Sequence, residues 1–351
     1  MTVRKLMPLA AAALVAVLTL ALGAGTGSAK TDAKAAPAAF KVALVTDIGG
    51  LDDRSFNFLA NKGLNDAKRL HGVQGRVFIS KSNADYVPNL QTAARQGYNL
   101  IISVGFLMGD ATAAVAKRFP QTKFAIIDFV AADLKGKPKN VRGLLFREQE
   151  AGYLVGYLAG LQSKNVPNSS GVVGAVGGLK IPPVDRFIAG YYAGAKKAYP
   201  AVKVQHSYSQ DFVDQAKCKE QALNQIADGA TVVFQVAGQC GLGVLSAAKE
   251  KNVFGIGVDA DQGYLGNHVL SSATKKVDVA VLSTIATAKK AGPAFRGGVD
   301  TLFTVKNGGV GYGKLSTRVQ PSWRRALLGV RAQIATGKIK NIPTVPPATT
   351  G

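Results

Sequence analysis

Three aspartates stand directly behind short apolar runs: Asp47 after residues 41–46, Asp128 after 124–127 and Asp259 after 253–258. Asp261 follows two residues later, and a glycine-rich stretch, 238–243, lies behind the run 231–235. Carboxylates in such places accept hydrogen bonds from the hydroxyls or ring nitrogens of a small molecule. Any one of them is explained equally well as a cap on the following helix. As a set at corresponding places in a repeated pattern, they point to a ligand crevice. Other chemistry is poorly supplied. His71, His206 and His268 are scattered, and neither they nor Cys218 and Cys240 have zinc-ligand or Cys–His nucleophile spacing. No metal and no cofactor is expected.

The elements that would position these residues alternate regularly. Strands are expected at residues 41–46, 77–80, 100–104, 124–127, 171–176, 202–207, 231–235 and 253–258. Helices are expected at 56–69, 88–96, 110–118, 184–198, 214–227 and 243–251. Strands alternating with helices of this length form parallel sheets covered on both faces. Ligands of open parallel sheets bind beyond the carboxyl ends of the strands, where the aspartates fall. The 351 residues exceed one ordinary core. A break at the polar stretch 163–170, which contains Pro167, would give one α/β lobe before it and another after it.

Residues 1–29 have the layout of a secretory signal: Arg4 and Lys5, an apolar run from 6 to 22, then small residues ending at Ala29. Residues 30–39 read as a flexible leader. The formal charge is +22, with basic residues dispersed and no aromatic–basic nucleic-acid motif. That favours a basic, solvated surface attracted to anionic membranes or wall polymers over nucleic-acid binding. Two cysteines in an exported chain permit a disulfide.

Six segments, in order, carry a resemblance spanning nearly the whole chain after the leader: KVALVTDIGGLDDRSFN (41–57), FAIIDF (124–129), EQEAGYLVGYLAG (148–160), GVVGAVGG (171–178), GVLSAAKEKNVFGIGVDADQ (243–262) and SSATKKVDVAV (271–281). Together they resemble the basic membrane protein family, purine-nucleoside-type receptors of ABC transporters. The resemblance implies an α/β, type I periplasmic-binding-protein fold: two Rossmann-like parallel-sheet lobes joined by a three-stranded hinge. Lobe one would hold residues 40–147 plus 265–303, and lobe two 148–264 plus 304–351. It implies a monomeric receptor that hands its ligand to an ABC permease.

Carried over by position, the resemblance makes Asp47, Phe56, Asn57, Asp128, Phe212, Gly238, Asp259 and Lys275 the ligand-binding residues. Phe56 and Phe212 would sandwich a planar base, with Phe187 competing for the second place. The carboxylates would accept from ribose hydroxyls, and Lys275 would donate to the ligand or balance the carboxylates. Two departures stand out. The lipid-attachment cysteine common in relatives is missing, which implies a free periplasmic or secreted receptor. Cys218 and Cys240 fall at the cleft ends of neighbouring units, where a disulfide between them is reasonable.

TDIGGLDD also looks superficially like the calcium-binding opening of nucleoside hydrolases. Val45 stands where that opening needs an aspartate, Ile48 replaces its proline, and the Asp52–Asp53 pair is displaced, so a divalent cation would lose ligands. Asp52 and Asp53 then read as a loop and helix-capping pair. A receptor for a sugar or an autoinducer-like ligand could use the same crevice, and a structural role at the cell wall is a third reading.

Overall fold

The computed structural model describes residues 39–166 and 170–348. The expected signal segment, nearly all of the leader and Pro167 lie outside the described residues. In chain order the first elements are β1 (Lys41–Val45), α1 (Phe56–His71), β2 (Gln74–Phe78), α2 (Tyr86–Arg95), β3 (Leu100–Ser103), α3 (Gly109–Arg118), β4 (Lys123–Ile127) and β5 (Val141–Phe146). Next come α4 (Glu148–Lys164), β6 (Val172–Gly177), α5 (Pro182–Ala198), β7 (Lys203–Tyr208), α6 (Gln215–Ala227), β8 (Ala230–Val236), α7 (Gly241–Glu250), β9 (Phe254–Asp259) and β10 (Val269–Lys275). The chain then runs through α8 (Val277–Ala291), β11 (Val299–Phe303), β12 (Val310–Tyr312) and α9 (Pro321–Ala335).

These strands build two six-stranded sheets with the same winding. The first has the order β11-β5-β4-β3-β1-β2 and is wholly parallel. The second has the order β12-β10-β9-β8-β6-β7, with only β12 antiparallel. Successive side chains of a strand point to opposite faces, so an unbroken apolar run feeds two cores. In β1, Val42 and Leu44 pack with Leu64 of α1 and Val281 of α8. Ala43 and Val45 turn the other way, toward Leu90 of α2 and Val115 of α3. In the second sheet, Val173 and Ala175 face the α4–α5 side, while Val172 and Val176 face α6 and α7.

The parallel pair α4 and α5 approaches to backbone contact through glycine. A Cβ on Gly156 would lie 2.1 Å from the Tyr191 carbonyl oxygen, and one on Gly194 would lie 2.0 Å from that of Tyr153. On its other sides α4 meets β8, β10, β12 and α9.

Because α4 packs on α5, the boundary between the sheets lies before α4 and not at 163–170. The chain crosses between sheets three times: after β5, after β10 and after β11. The crossings are stitched together, Arg147 N donating to Phe303 O at 2.9 Å, Lys276 N to Gly309 O at 2.9 Å, and Val305 N to Glu150 Oε2 at 2.7 Å. Residues 269–275, placed in lobe one by the resemblance, belong instead to the second sheet. There β10 extends the parallel ladder on β9, and the chain leaves for the first lobe only after Lys275.

Candidate functional site

The carboxyl ends of both sheets face a common cavity lined from both lobes. Every residue carried over from the resemblance lines it: Asp47, Phe56, Asn57 and Asp128 from the first lobe, and Phe212, Gly238, Asp259 and Lys275 from the second. Phe187 lines it as well, so both candidates for the second aromatic wall are present. Phe187 is buried and packs edge-on against Phe234 at 6.2 Å, whereas Phe212 is only partly buried.

The first-lobe wall is organised by two aspartates. Asp53 accepts from the amides of Ser55 (3.0 Å), Asn57 (2.7 Å) and Phe58 (3.0 Å), and so caps the start of α1, as read from the sequence. Asp47 Oδ1 accepts from Gly49 N at 3.0 Å and from Asn57 Nδ2 at 2.7 Å. The amide nitrogen of Asn57, a residue that lines the cavity, is held by Asp47 and Asp53, which leaves Oδ1 as the free end of the side chain. That oxygen is buried and has no hydrogen-bond partner among the described residues. A buried, orphaned acceptor of this kind calls for a donor from outside the chain.

Asp128 and Asp259 occupy matching places in the two lobes, at the ends of β4 and β9. Both adopt left-handed backbone, with φ of 70° and 58°. Non-glycine residues rarely sit there, and such strain concentrates at binding sites. Asp259 Oδ2 accepts from Ser55 Oγ at 2.9 Å, which links the lobes across the cleft.

Lys275, at the end of β10, is the cation of the site. Only 1% exposed, it lies 2.7 Å from both Asp128 oxygens and 3.0 Å from Glu148 Oε1. Its ammonium also sits 4.8 Å from the Phe146 ring centre and 5.0 Å from that of Phe56. Glu148 is buried and reaches Arg186 at 3.6 Å.

Burial pushes the Asp47 carboxyl up to about 6, against the pull of its bonds from Asn57 and Gly49. It pushes Asp259 up to about 7 despite Lys275 and Ser55. Burial also raises Glu148, with Lys275 opposing. For Lys275, burial acts downward, but the carboxylates of Asp128, Glu148 and Asp259 outweigh it and hold the ammonium well above the usual lysine range.

Some site residues were not legible as such in the sequence. Glu148 follows β5, a strand absent from the apolar rhythm; had β5 been read, the strand-end rule would have found it. Gly105 and Phe106 follow β3, and a Cβ on Gly105 would lie 2.9 Å from Asp47 Oδ2. Asp261, read as a strand-end carboxylate, is not in the lining. It accepts from Gly263 N at 3.2 Å and Lys314 N at 2.9 Å, holding its own loop.

Cys218 and Cys240 form a disulfide with Cα atoms 5.5 Å apart, joining the first turn of α6 to the start of α7. Cys240 N donates to Phe212 O at 3.0 Å, and Gly238, at φ 55°, passes beside Phe212. The bridge thus braces the loop that presents this ring. Replacing both cysteines by serine is expected to cost about 3 kcal/mol, the cross-link entropy of a loop of this order. Urea unfolding of the pair of proteins measures it; equal midpoints would deny the bridge a stabilising role.

Two sheets of this winding, three crossings and a cleft between their carboxyl ends define a two-lobed solute-binding protein of type I fold. The family model of PnrA-like ABC transporter substrate-binding proteins matches residues 40–340, and the chain belongs to that family. It is similar to the ABC transporter nucleoside-binding protein BmpA of Lactococcus lactis, with 37% identity over 88% of this chain and 91% of that protein. It is also similar to basic membrane protein A1 of Borrelia garinii, with 36% identity over 68% and 69% of the two chains. Among solved structures, an ABC transporter solute-binding protein from Aeropyrum pernix superposes with a TM-score of 0.78 at 30% identity, covering 89% of this chain and 94% of that one. The chain is therefore an extracytoplasmic substrate-binding protein and not an enzyme. It carries a small molecule to an ABC permease.

Proposed function

We propose that the carried molecule is a nucleoside, of purine type. The observation that carries this reading is the unpartnered Asn57 Oδ1 beside Asp47, in a cavity walled by Phe56 and Phe212 on opposite lobes. A flat base fits between aromatic faces. Ribose hydroxyls supply the donors that Asn57 Oδ1 and the carboxylates of Asp47, Asp128 and Asp259 can accept. The name of the Lactococcus lactis relative agrees with this assignment. The chain acts as a monomer, exported with cleavage after Ala29 and without lipid; intact mass of the exported protein would reveal an acyl group.

Titration calorimetry with adenosine, guanosine, inosine, cytidine and ribose tests the ligand. Tight binding of a purine nucleoside is expected; tight binding of ribose or another sugar with none of any nucleoside would replace this reading. The pH dependence follows from the raised carboxyls. In the free protein Asp47 and Asp259 favour the protonated state, so their contribution to stability is fully present below about 4 and is lost as pH rises through 6 and 7. A ligand that donates hydroxyls to them selects the ionised state. Affinity should therefore fall at least about tenfold between pH 8 and pH 5, with proton release on binding in acid. An affinity constant over that range would show that these carboxyls do not take ligand donors as anions.

A further inference from the structure

After Asp300 the sequence contains no acidic residue. Eight lysines and arginines fall in this stretch, five of them in or just after α9. Helix α9 buries Trp323, Leu327, Val330 and Ile334 and turns Arg325, Leu328 and Arg331 outward, all three exposed and spaced by three residues along one face. Lys338 and Lys340 follow the helix, exposed. Arg331 borders a surface depression shared with Lys276, Gly308 and Tyr312, beside the crossing that carries Lys306.

None of these basic side chains forms an ion pair among the described residues. Lysines elsewhere do: Lys62 with Asp66 and Asp278, Lys180 with Asp185, Lys217 with Asp211 and Lys219 with Glu250. An unneutralised cluster repels itself and is relieved by a surface of opposite charge.

We propose that this face docks on an anionic lipid surface, with the arginines and lysines on headgroup phosphates. Leu328 selects lipid over other polyanions. It is 55% exposed between Arg325 and Arg331, where an apolar side chain reaches the headgroup–acyl boundary while its flanking cations stay at the phosphates. A wall polymer or a nucleic acid would engage the charges and leave Leu328 in water. The patch shares no residue with the cavity lining, so docking and ligand capture are compatible.

Co-sedimentation with vesicles tests this. The wild-type chain is expected to bind vesicles of phosphatidylglycerol and phosphatidylcholine and not vesicles of phosphatidylcholine alone, with inorganic phosphate failing to displace it. Reversing three charges on the face (Arg325→Glu, Arg331→Glu, Lys338→Glu) should weaken binding at least about tenfold, since each basic group near such a surface contributes separately. Reversing three exposed, unpaired charges on the first lobe (Lys117→Glu, Arg118→Glu, Lys135→Glu) changes net charge equally and should cost much less. Leu328→Ser, the mildest variant, should weaken vesicle binding while leaving thermal unfolding in place. Equal losses from the two triple variants would overturn the proposal in favour of net charge alone. Absence of wild-type binding to the anionic vesicles, or an unaffected Leu328→Ser, would overturn it directly.

Discussion

Lys275→Met is expected to destabilise the protein by about 3–5 kcal/mol and to remove ligand binding. The side chain is buried against Asp128 and Glu148, each within 3.0 Å of the ammonium. Methionine fills a similar volume but leaves two carboxylates facing each other out of water. Breaking a buried pair from one side costs about this much because the orphaned charge remains. Differential scanning calorimetry should register a drop of roughly 10 °C for a domain pair of this size. Two companions separate charge from packing. Lowering the pH should narrow the gap between the variant and wild type, because Glu148 is already pushed toward its neutral form by burial. Adding Glu148→Gln to Lys275→Met should return part of the stability and none of the affinity. A Lys275→Met protein that melts with wild type would show that the buried ion pair does not stabilise the fold.

Gly156→Val is expected to prevent folding at ordinary temperature. The added Cβ would overlap the Tyr191 carbonyl, and no flexible side-chain end lies in the way to give ground. Retreat of α4 is blocked by β8, β10, β12 and α9, and retreat of α5 would open the core around Tyr191 and Phe234. Overpacking of a rigid core, added to loss of close helix packing, exceeds the few kcal/mol that separate folded from unfolded chains. Gly329→Ala supplies the contrast. It lies in α9 with nothing within 4 Å of the added atom, and should gain up to about 1 kcal/mol from helix propensity. Soluble yield and urea midpoints compare the two. A Gly156→Val protein within about 1 kcal/mol of wild type would mean that α4 and α5 slide apart freely.

The strands most plainly legible in the sequence are those buried on both faces, although the part-exposed edge strands β2 and β7 can also be read. LIIS in β3 and FAII in β4 are continuous apolar runs because helices cover each side of the sheet. The remainder fail that pattern for local reasons. β11 is an edge strand with four of its five residues short of full burial, and β12 has three residues. β10 is buried throughout yet reads VLSSATK, because its polar side chains are satisfied inside. Ser271 Oγ donates to Gly313 O, Ser272 Oγ accepts from Gln262 N, and Lys275 meets its carboxylates. The same blindness hid Glu148. In a segment that begins EQE it looks like the wetted first turn of a helix, and only the fold brings Lys275 to it from a residue 127 positions later. The aspartates were legible because strand ends converge by rule in this kind of sheet.

The three crossings also set the order in which a growing chain can complete its parts. The outermost strand of the first sheet, β11, is made only at residues 299–303, after the whole of the second sheet except β12. The second sheet in turn waits for β12 and for the α9 residues Trp323 and Leu327 that seal its core. The first lobe is not finished until β11, ending at Phe303, has been synthesised, nor the second until α9 has been. A chain arranged in this way stays short of its native state long after most strands of both sheets have been made, and that delay lengthens the interval in which it can still be threaded through a pore.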